Sequence, residues 1–422
     1  MMWNDKVLIR MALQGLKRIV SDSLAPIMEV ADHPIQGYAN TLPYMLGGLA
    51  FVCIMLLMLT GMFMAMFYTA SAQGAYSSTI NLIEHVPFGE YARSVHLWAA
   101  NIVIVLIALH LSRIIITGSY KKPRRLLYIT GVLMFFDIML ITYMGTVLPL
   151  DQIGVDAAIR TQQAAALFGV NIPLGMMVGP AFVFHINVLI LALFGLFAVH
   201  ALLILRAGIS PKASKKAVAR ATAGEGNSTF MHHMRLLIGS GLLLSAAICT
   251  LAAAFPAPIG HPGVYDPDVM ITKPVEYIFY VNDIMLDTFG TASIIWGPLL
   301  LFLLLLVFPA LDRRPEVHWR KRIPFIILAL FILAWALYFI VIDATAGTEF
   351  SGAAVEIAEN VTFNPASLYY VSNGTAATAA DVYGGYASVP SRMPQEMPAI
   401  FAVIASLGIA GAAVLATGRR RA

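Results

Sequence analysis

Long apolar runs recur along the whole chain, separated by polar segments of varied length. They lie near residues 43–68, 95–115, 127–147, 180–205, 235–255, 291–311, 324–343 and 397–417, and we name them spans A to H in that order. An α-helix of about 20 apolar residues crosses the hydrocarbon core of a bilayer. A membrane barrel would instead show short segments of alternating hydrophobicity. The pattern therefore predicts an all-α polytopic membrane protein with eight transmembrane helices.

Composition agrees with this fold class. Of the 422 residues, 59% are hydrophobic and 12% are charged, whereas a soluble globular domain carries about 25% charged residues. The net charge of +4 is small, and the basic residues lie in short loops beside the spans. This distribution excludes a nucleic-acid partner and favours contact with membrane lipid.

The loops alternate between basic and nearly uncharged segments, which predicts an orientation. Cytoplasmic loops of membrane proteins are enriched in Lys and Arg. The alternation fits eight spans with both termini in the cytoplasm, as expected for the inner membrane of a prokaryote. The basic segments are the N-terminus, the B–C loop near Lys121, the D–E loop near Lys215, the F–G loop near Arg320 and the C-terminal Arg419 to Arg421.

The same pattern predicts three regions. Residues 1–37 contain an interfacial amphipathic segment, and residues 38–210 form a four-helix bundle from spans A to D. Residues 211–422 supply spans E to H, an outer loop at 256–290 and a second outer loop at 345–396. The 345–396 loop is rich in small residues, and an ordered cap, a docking surface and an unstructured insertion all remain open for it.

Four histidines stand out because they lie inside two of the spans. His110 follows His96 by fourteen positions on span B, and His200 follows His185 by fifteen positions on span D. On an α-helix these steps return to within about 40° and 60° of the starting face, about 21 Å further along the axis. Spans B and D run in the same direction, so each membrane level receives one imidazole from each span. This arrangement predicts bis-histidine ligation of two iron porphyrins, one near each membrane face.

Glycines and arginines follow the same repeat. Spans A and C each carry two glycines separated by fourteen positions, and glycine permits the close backbone approach that a flat porphyrin needs. Arg93 and Arg113 each lie three positions from a span B histidine and are candidates for pairing with haem propionates. A role of Arg93 as an ordinary anchor at the membrane end of the span remains the alternative. The glycines are Gly47, Gly61, Gly131 and Gly145.

These residues make the chain resemble the cytochrome b family of quinol:cytochrome c and quinol:plastocyanin oxidoreductases. The likeness covers residues 38–345. These motifs are most similar to those of the chloroplast-type branch. Here, however, the amino-terminal and carboxy-terminal halves form one chain. The segments that carry it are Leu46-Gly47-Gly48, Arg93 to Trp98, His110 with Arg113, Lys121 to Arg124, Leu148 to Gln152, and His185 with His200.

The resemblance implies a function, cofactors and partners. It implies two non-covalent b haems, oxidation of quinol at an outer site, and reduction of quinone at an inner site after electrons cross the membrane, with coupled proton translocation. It also implies a Rieske iron–sulfur protein and a c-type cytochrome subunit as partners, in a homodimeric complex. In the chloroplast-type branch an additional haem is attached to a Cys before the Gly-Gly pair. Met45 occupies that position, so no covalent haem is expected.

The family's quinone sites match this sequence only in part. The outer turn reads Leu148-Pro149-Leu150-Asp151-Gln152, and the family's Pro-Glu-Trp-Tyr motif corresponds to Pro274-Val275-Glu276-Tyr277, in which the Glu is displaced by one residue. Glu276 is the candidate proton acceptor and Asp283 a substitute.

The candidates for the inner quinone site are Arg206, His232 and His233. The alternative is that these three are interfacial residues solvated by water. Asp137, inside span C, is a candidate for proton transfer.

Two other functions remain possible at the level of the sequence. One is a di-haem membrane anchor of another oxidoreductase, which usually has fewer spans and different histidine placement. The other is a haem-free transporter that uses the four histidines as a proton or substrate path.

Overall fold

The computed structural model describes residues 34–208, 228–257, 259, 293–312, 322–324, 326–327, 371–372, 375–376 and 393–419. Nine helices lie within them: α1 (Leu42–Ala65), α2 (Ala75–Glu84), α3 (Gly89–Thr117), α4 (Arg125–Val147), α5 (Gln152–Ala166), α6 (Val178–Ala207), α7 (Phe230–Ala254), α8 (Ser293–Leu311) and α9 (Met393–Arg419). Short 3-10 helices occur at Gly37–Asn40 and Leu174–Met176. Strand β1 (Pro34–Ile35) pairs antiparallel with β2 (Ser228–Thr229), and β3 (Val371–Ser372) pairs with β4 (Thr375–Ala376).

The prediction of a helical membrane protein is confirmed. Within the described residues, six helices are long and apolar enough to cross a membrane, and they correspond to spans A to E and H. Span F corresponds to α8, whose 19 residues include Pro298 and Pro309. Most of span G, most of the 345–396 loop and the N-terminal segment up to residue 33 lie outside the described residues, so the total of eight spans stays a prediction.

Two antiparallel helix pairs form the N-terminal bundle. Helix α1 packs along α3, and α4 packs along α6. The buried faces of these helices share one apolar core with α7, α8 and α9, and Cys53 and Cys249 both lie in it as free thiols.

Glycine contacts hold α7 between α1 and α9. A Cβ atom on Gly239 would lie 3.1 Å from the carbonyl oxygen of Gly411, and one on Gly411 would lie 2.8 Å from that of Gly239. A Cβ on Gly241 would lie 2.8 Å from the side chain of Val52 on α1. In a bilayer, such small residues allow helix backbones to approach closely where lipid tails provide no hydrophobic driving force.

A buried charge cluster joins the N-terminal bundle to α8. The side chain of Asp312, directly after α8, is fully buried, and its Oδ2 lies 3.1 Å from Lys121 Nζ and 3.2 Å from Arg322 Nε. Tyr120 donates a hydrogen bond to the same oxygen. Burial alone would raise the pKa of the Asp312 carboxyl, but hydrogen bonds from Tyr120, Lys121 and Arg322 and the charge of Lys121 hold that pKa below its usual range.

The guanidinium group of Arg322 also caps the end of α3. It donates hydrogen bonds to the carbonyl oxygens of Ile115 and Ile116, the latter at 2.9 Å from Nη1. The last carbonyl groups of a helix lack partners within the helix and carry partial negative charge, so a cation stabilises them. We name Tyr120, Lys121, Asp312 and Arg322 the inner clamp, because they fix α3 to α8 at one membrane face.

We expect Asp312→Ala to lower the free energy of unfolding by about 3–5 kcal/mol, because it leaves Arg322 buried without its carboxylate. Unfolding of the purified protein in detergent measures this change. Glu84→Ala is the matched control, since Glu84 pairs with the exposed His85 at 3.6 Å and such surface pairs contribute about 0–1 kcal/mol. Equal effects of the two substitutions would contradict the role of the clamp.

Candidate functional site

Each of the four span histidines packs against one of the four predicted glycines. An ideal Cβ atom on the glycine would lie 2.6–3.3 Å from the Cε1 atom of the facing imidazole. Real Cβ atoms essentially never approach closer than 3.0 Å and seldom closer than 3.4 Å, so a larger residue would push the ring away. The pairs are Gly47 with His110, Gly61 with His96, Gly131 with His200 and Gly145 with His185.

The histidines meet in two pairs at two membrane levels. The ring centroids of His96 and His185 are 6.3 Å apart, and their planes are inclined by 60°. At the other end of the bundle, His110 packs against Gly47 and His200 against Gly131, each fourteen positions along its helix from the glycine that contacts the first pair. Each pair joins one imidazole from α3 and one from α6, as the sequence predicts.

A wide turn in α6 explains why its histidines are separated by fifteen positions rather than by fourteen. Phe184–Val188 forms one π-helical turn, in which the N–H of Leu189 donates to the carbonyl of Phe184. Such a turn contains one residue more than an α-helical turn and occurs often at functional sites. The extra residue lies between His185 and His200, so their helical phase equals that of the fourteen-position repeats.

Hydrogen bonds fix the tautomer of three of the four rings. Thr60 Oγ1 lies 3.0 Å from His96 Nδ1 and itself donates to the carbonyl of Leu56 at 2.8 Å, so its oxygen accepts from Nδ1–H. Thr130 Oγ1 lies 2.9 Å from His200 Nδ1 and donates to the Leu127 carbonyl at 3.0 Å. A proton held on Nδ1 leaves the Nε2 lone pair available for a metal ion.

The remaining two histidines differ from one another. His185 Nδ1 lies 2.7 Å from the carbonyl oxygen of Ile141 and donates to it. His110 Nδ1 is buried and has no hydrogen-bond partner among the described residues. Sequence reasoning missed the threonines, although each directly precedes a repeat glycine, Gly61 or Gly131.

The His96–His185 pair, which we call the outer pair after the orientation predicted from the loop charges, opens onto a cavity of about 810 Å³. This volume falls within the range of small-molecule and cofactor sites, about 300–1,000 Å³. The lining is mainly apolar and also contains His96, His185, Gly61, Gly145, Arg93 and Asp151. A mainly apolar cavity of this size beside the two imidazoles is large enough for a planar apolar group.

The paired imidazoles fit an iron porphyrin. Two metal–imidazole bonds of about 2 Å, together with about 1 Å from each Nε2 to its ring centre, place ring centroids about 6 Å apart. The observed separation of His96 and His185 is 6.3 Å. The described residues contain no group of three or more metal-ligating side chains. A metal that carries its own equatorial nitrogen ligands, as haem iron does, needs only the two axial histidines.

The chain after α7 is tied to the outer end of α3 beside this cavity. Trp98 Nε1 donates to the Phe255 carbonyl at 2.8 Å, and Arg93 Nη1 donates to the Ala257 carbonyl at 2.8 Å. The hydroxyl of Ser94 accepts from the Ala257 N–H at 2.9 Å. These bonds hold the start of the predicted 256–290 loop against the cavity, but Pro274, Glu276, Tyr277 and Asp283 lie outside the described residues.

The outer turn after α4 forms the other rim of the cavity. Pro149 and Asp151 line it, and Leu150 has a left-handed backbone with φ of 48°. The carboxylate of Asp151 caps α5 by accepting from Gly154 N–H at 3.0 Å. Tyr68 donates to the Leu148 carbonyl at 2.7 Å, which holds the turn in place.

At the inner level the structure places the predicted basic residues in different surroundings. The guanidinium carbon of Arg113 lies 3.9 Å from the centre of the Tyr44 ring, and its Nε is buried without a hydrogen-bond partner among the described residues. His233 is buried, with Nδ1 3.2 Å from Asn40 Oδ1. His232 is partly exposed, and Arg206 lies exposed in the last turn of α6.

Asp137 is buried inside α4, and its Oδ2 has no hydrogen-bond partner among the described residues. Its neighbours Phe135 and Phe136 pack against Phe302 of α8, with ring centroids 5.5 and 4.5 Å apart. The predicted role in proton transfer stays a prediction.

Comparison with known proteins places these features in a family. The family model described as Cytochrome b/b6/petB matches residues 31–208. The menaquinol:cytochrome c reductase cytochrome b subunit of Bacillus subtilis (strain 168) is 33% identical over 201 residues, which are 43% of this chain and 90% of that protein. Cytochrome b6 of Heliobacterium mobile is 29% identical over 210 residues, which are 47% of this chain and 95% of that protein.

A solved structure extends the likeness of fold to the C-terminal half. A chain of the "Hyperthermophilic respiratory Complex III" matches with a TM-score of 0.64 and 18% identity, and the match covers 93% of this chain and 98% of that one. The identity to the Bacillus protein, over 90% of its length, is high enough to decide the family. The chain is a membrane protein of the cytochrome b/b6 family, and this membership implies haem b.

Proposed function

We propose that this chain is the di-haem cytochrome b subunit of a quinol-oxidising complex of the Rieske/cytochrome b type. The proposal rests on the four imidazoles, which form two pairs at two membrane levels. Every ring packs against a glycine. A chain with two such sites can hold two electron carriers in series across the membrane, which a haem-free transporter does not need.

The relatives support the reaction class. The Bacillus protein is a subunit of a menaquinol:cytochrome c reductase, and several other relatives are b6 cytochromes. We infer that this chain also takes electrons from a membrane quinol and that its complex delivers some of them to a c-type cytochrome. The family match disfavours both the haem-free transporter and the anchor of another oxidoreductase.

The histidines divide between two b haems. His96 and His185 hold the outer haem, and His110 and His200 hold the inner one, in both cases without a covalent attachment. When bound, each haem supplies one-electron oxidation and reduction. Arg93 at the outer cavity and Arg113 near His110 are positioned to neutralise propionate groups. The buried Nε of Arg113, which has no partner among the described residues, supports this assignment.

The outer quinol site lies where two segments converge on the outer cavity. The turn with Pro149 and Asp151 forms one wall, and Ile259, at the start of the 256–290 segment, forms part of another. That segment leads to Pro274, Glu276, Tyr277 and Asp283. Glu276 accepts a quinol proton, Tyr277 positions the ring, and Asp283 is the substitute acid.

The inner quinone site lies between the N-terminal end of α7 and the turn before α1. We assign His233 to its buried part, where Nδ1 lies 3.2 Å from Asn40 Oδ1. His232 and Arg206 lie nearer the aqueous face and supply charge and protons at its entrance.

The orientation and partners follow from this assignment. The basic loops face the cytoplasm of a prokaryotic cell, the outer site faces the opposite side, and electron transfer between the two sites is coupled to proton translocation. A Rieske iron–sulfur protein receives one electron from each quinol, a c-type cytochrome subunit continues the path, and the complex is a homodimer. The regions 1–37, 38–210 and 211–422 act as interfacial segment, di-haem bundle and quinone-site half.

We expect the purified complex to show two b haems per chain in a dithionite-reduced minus oxidised spectrum, and the pyridine haemochrome assay to find both extractable. His96→Ala and His200→Ala should each remove one haem, because each removes one axial ligand. A soluble quinol should reduce the haems of the native complex. A wild-type complex without haem, or with covalently held haem on this chain, would overturn the proposal.

We expect Gly145→Ala to weaken binding of the outer haem by about 10–100-fold, the range for changes next to metal ligands. The added Cβ would lie 2.6 Å from His185 Cε1, so the imidazole must move away. Gly131→Ala should be milder, because its Cβ would lie 3.3 Å from His200 Cε1. Haem content per chain, measured from the reduced spectrum, checks this order.

The matched control is Gly195→Ala on α6, where no atom lies within 4 Å of the added Cβ. Alanine stabilises a helix relative to glycine by about 0.5–1 kcal/mol, so a loss of haem cannot result from helix propensity. If Gly195→Ala and Gly145→Ala reduced haem content equally, the steric explanation would be wrong.

A further inference from the structure

The four histidines differ in what their Nδ1 atoms contact. His96, His185 and His200 each have an oxygen acceptor 2.7–3.0 Å from Nδ1. His110 has none among the described residues, although its Nδ1 is buried. Buried polar groups are nearly always hydrogen-bonded, so a lone buried N–H requires an explanation. The difference occurs in the inner pair, in which Nδ1 of His200 has an oxygen acceptor and Nδ1 of His110 has none among the described residues.

The repeat along α1 shows which residue causes the difference. His96 and His110 both pack against α1 glycines, Gly61 and Gly47, which are separated by the same fourteen-position step as the histidines. The residue before Gly61 is Thr60, whose hydroxyl reaches His96 Nδ1. The equivalent residue before Gly47 is Leu46, which is 7% exposed and has no polar atom in its side chain.

A second helix pair repeats the arrangement independently. On α4, Thr130 precedes Gly131, and its hydroxyl reaches Nδ1 of the facing His200. A threonine before the glycine therefore supplies the acceptor at two sites on two different helices. At the fourth site Met144 precedes Gly145, and the Ile141 carbonyl is the acceptor for His185 instead. At Leu46 the threonine is absent and the facing ring of His110 has no other acceptor among the described residues.

We propose that the residues preceding Gly47, Gly61 and Gly131 tune the reduction potential of the haem held there, and that Leu46 leaves His110 the least electron-donating of the four ligands. This inference rests on the proposed function, because it assigns the four rings to haem iron. It adds positions 46, 60 and 130 as tuning residues that do not contact the metal.

The physical basis is the polarity of the Nδ1–H bond. An imidazole that donates from Nδ1 to an oxygen becomes more basic at Nε2. A more basic axial ligand stabilises the oxidised, more positively charged iron and lowers the reduction potential. Without an acceptor at Nδ1, His110 favours the reduced state of the inner haem more than a bonded ring would.

Leu46→Thr tests this directly, with Leu46→Val as its matched control. Threonine and valine have nearly the same shape, so the difference between the two variants isolates the hydroxyl group. We expect the inner haem of Leu46→Thr to be about threefold to tenfold harder to reduce than that of Leu46→Val, where tenfold corresponds to about 59 mV for one electron. A redox titration of both haems in the assembled complex measures the shift, and the outer haem should not move.

The reciprocal variants use the native threonines. Thr60→Val should raise the potential of the outer haem, and Thr130→Val should raise that of the inner haem, each leaving the other unchanged. Electron paramagnetic resonance of the oxidised haems gives a second readout, because it responds to the basicity of the axial imidazoles. These variants keep the proposal testable if Leu46→Thr does not assemble.

Equal inner-haem potentials in Leu46→Thr and Leu46→Val would overturn the inference, as would Thr60→Val and Thr130→Val titrating like the wild type. Both results presuppose two haems in the wild-type complex. A wild type without two b haems would instead overturn the proposed function, so the two failures are distinguishable.

Discussion

The contact between a glycine on one helix and an imidazole on its neighbour is the constraint on which the rest of the N-terminal bundle depends. It occurs four times, twice between α1 and α3 and twice between α4 and α6. Since helices in lipid gain little from burying apolar side chains against each other, close approach and specific contacts decide their packing. The absent Cβ atoms allow each ring to lie against the neighbouring helix while the two pairs remain apart. That separation creates the outer cavity of about 810 Å³.

The C-terminal helices stabilise this open bundle from outside. At the outer face, Trp98 and Arg93 of α3 donate to the carbonyls of Phe255 and Ala257 after α7. At the opposite end, the inner clamp fixes α3 to α8 through Asp312 and Arg322. A hydrogen bond 2.8 Å long from Phe88 N–H to Glu396 ties α9 to the start of α3. Helix α3, which carries two of the proposed axial ligands, is thus held at both ends by residues distant in sequence.

The two levels of the bundle are chemically unequal although the backbone repeats. The outer pair has an oxygen acceptor at each Nδ1, and its cavity is continuous with the turn and the segment proposed to bind quinol. The inner pair lies near Arg113 and has one ring without an acceptor among the described residues. A repeated scaffold with unequal hydrogen bonding would hold the two proposed haems at different potentials, which would favour transfer of electrons in one direction.

The sequence by itself determined the class of protein, most of the spans and the matched repeats of histidines and glycines. Hydropathy and the fourteen-position repeat are local properties, and the helix translates them directly into depth and face. Only the tertiary structure showed why the two histidines of α6 are separated by fifteen positions and those of α3 by fourteen. The additional residue lies in the π-helical turn at Phe184–Val188, which packs against α4. The hydrogen-bond partners of the imidazole Nδ1 atoms and of Asp312 likewise could not be predicted from the sequence. They are side-chain contacts between groups far apart along the chain, such as Thr60 with His96 and Tyr120 with Asp312, and no local pattern specifies such contacts.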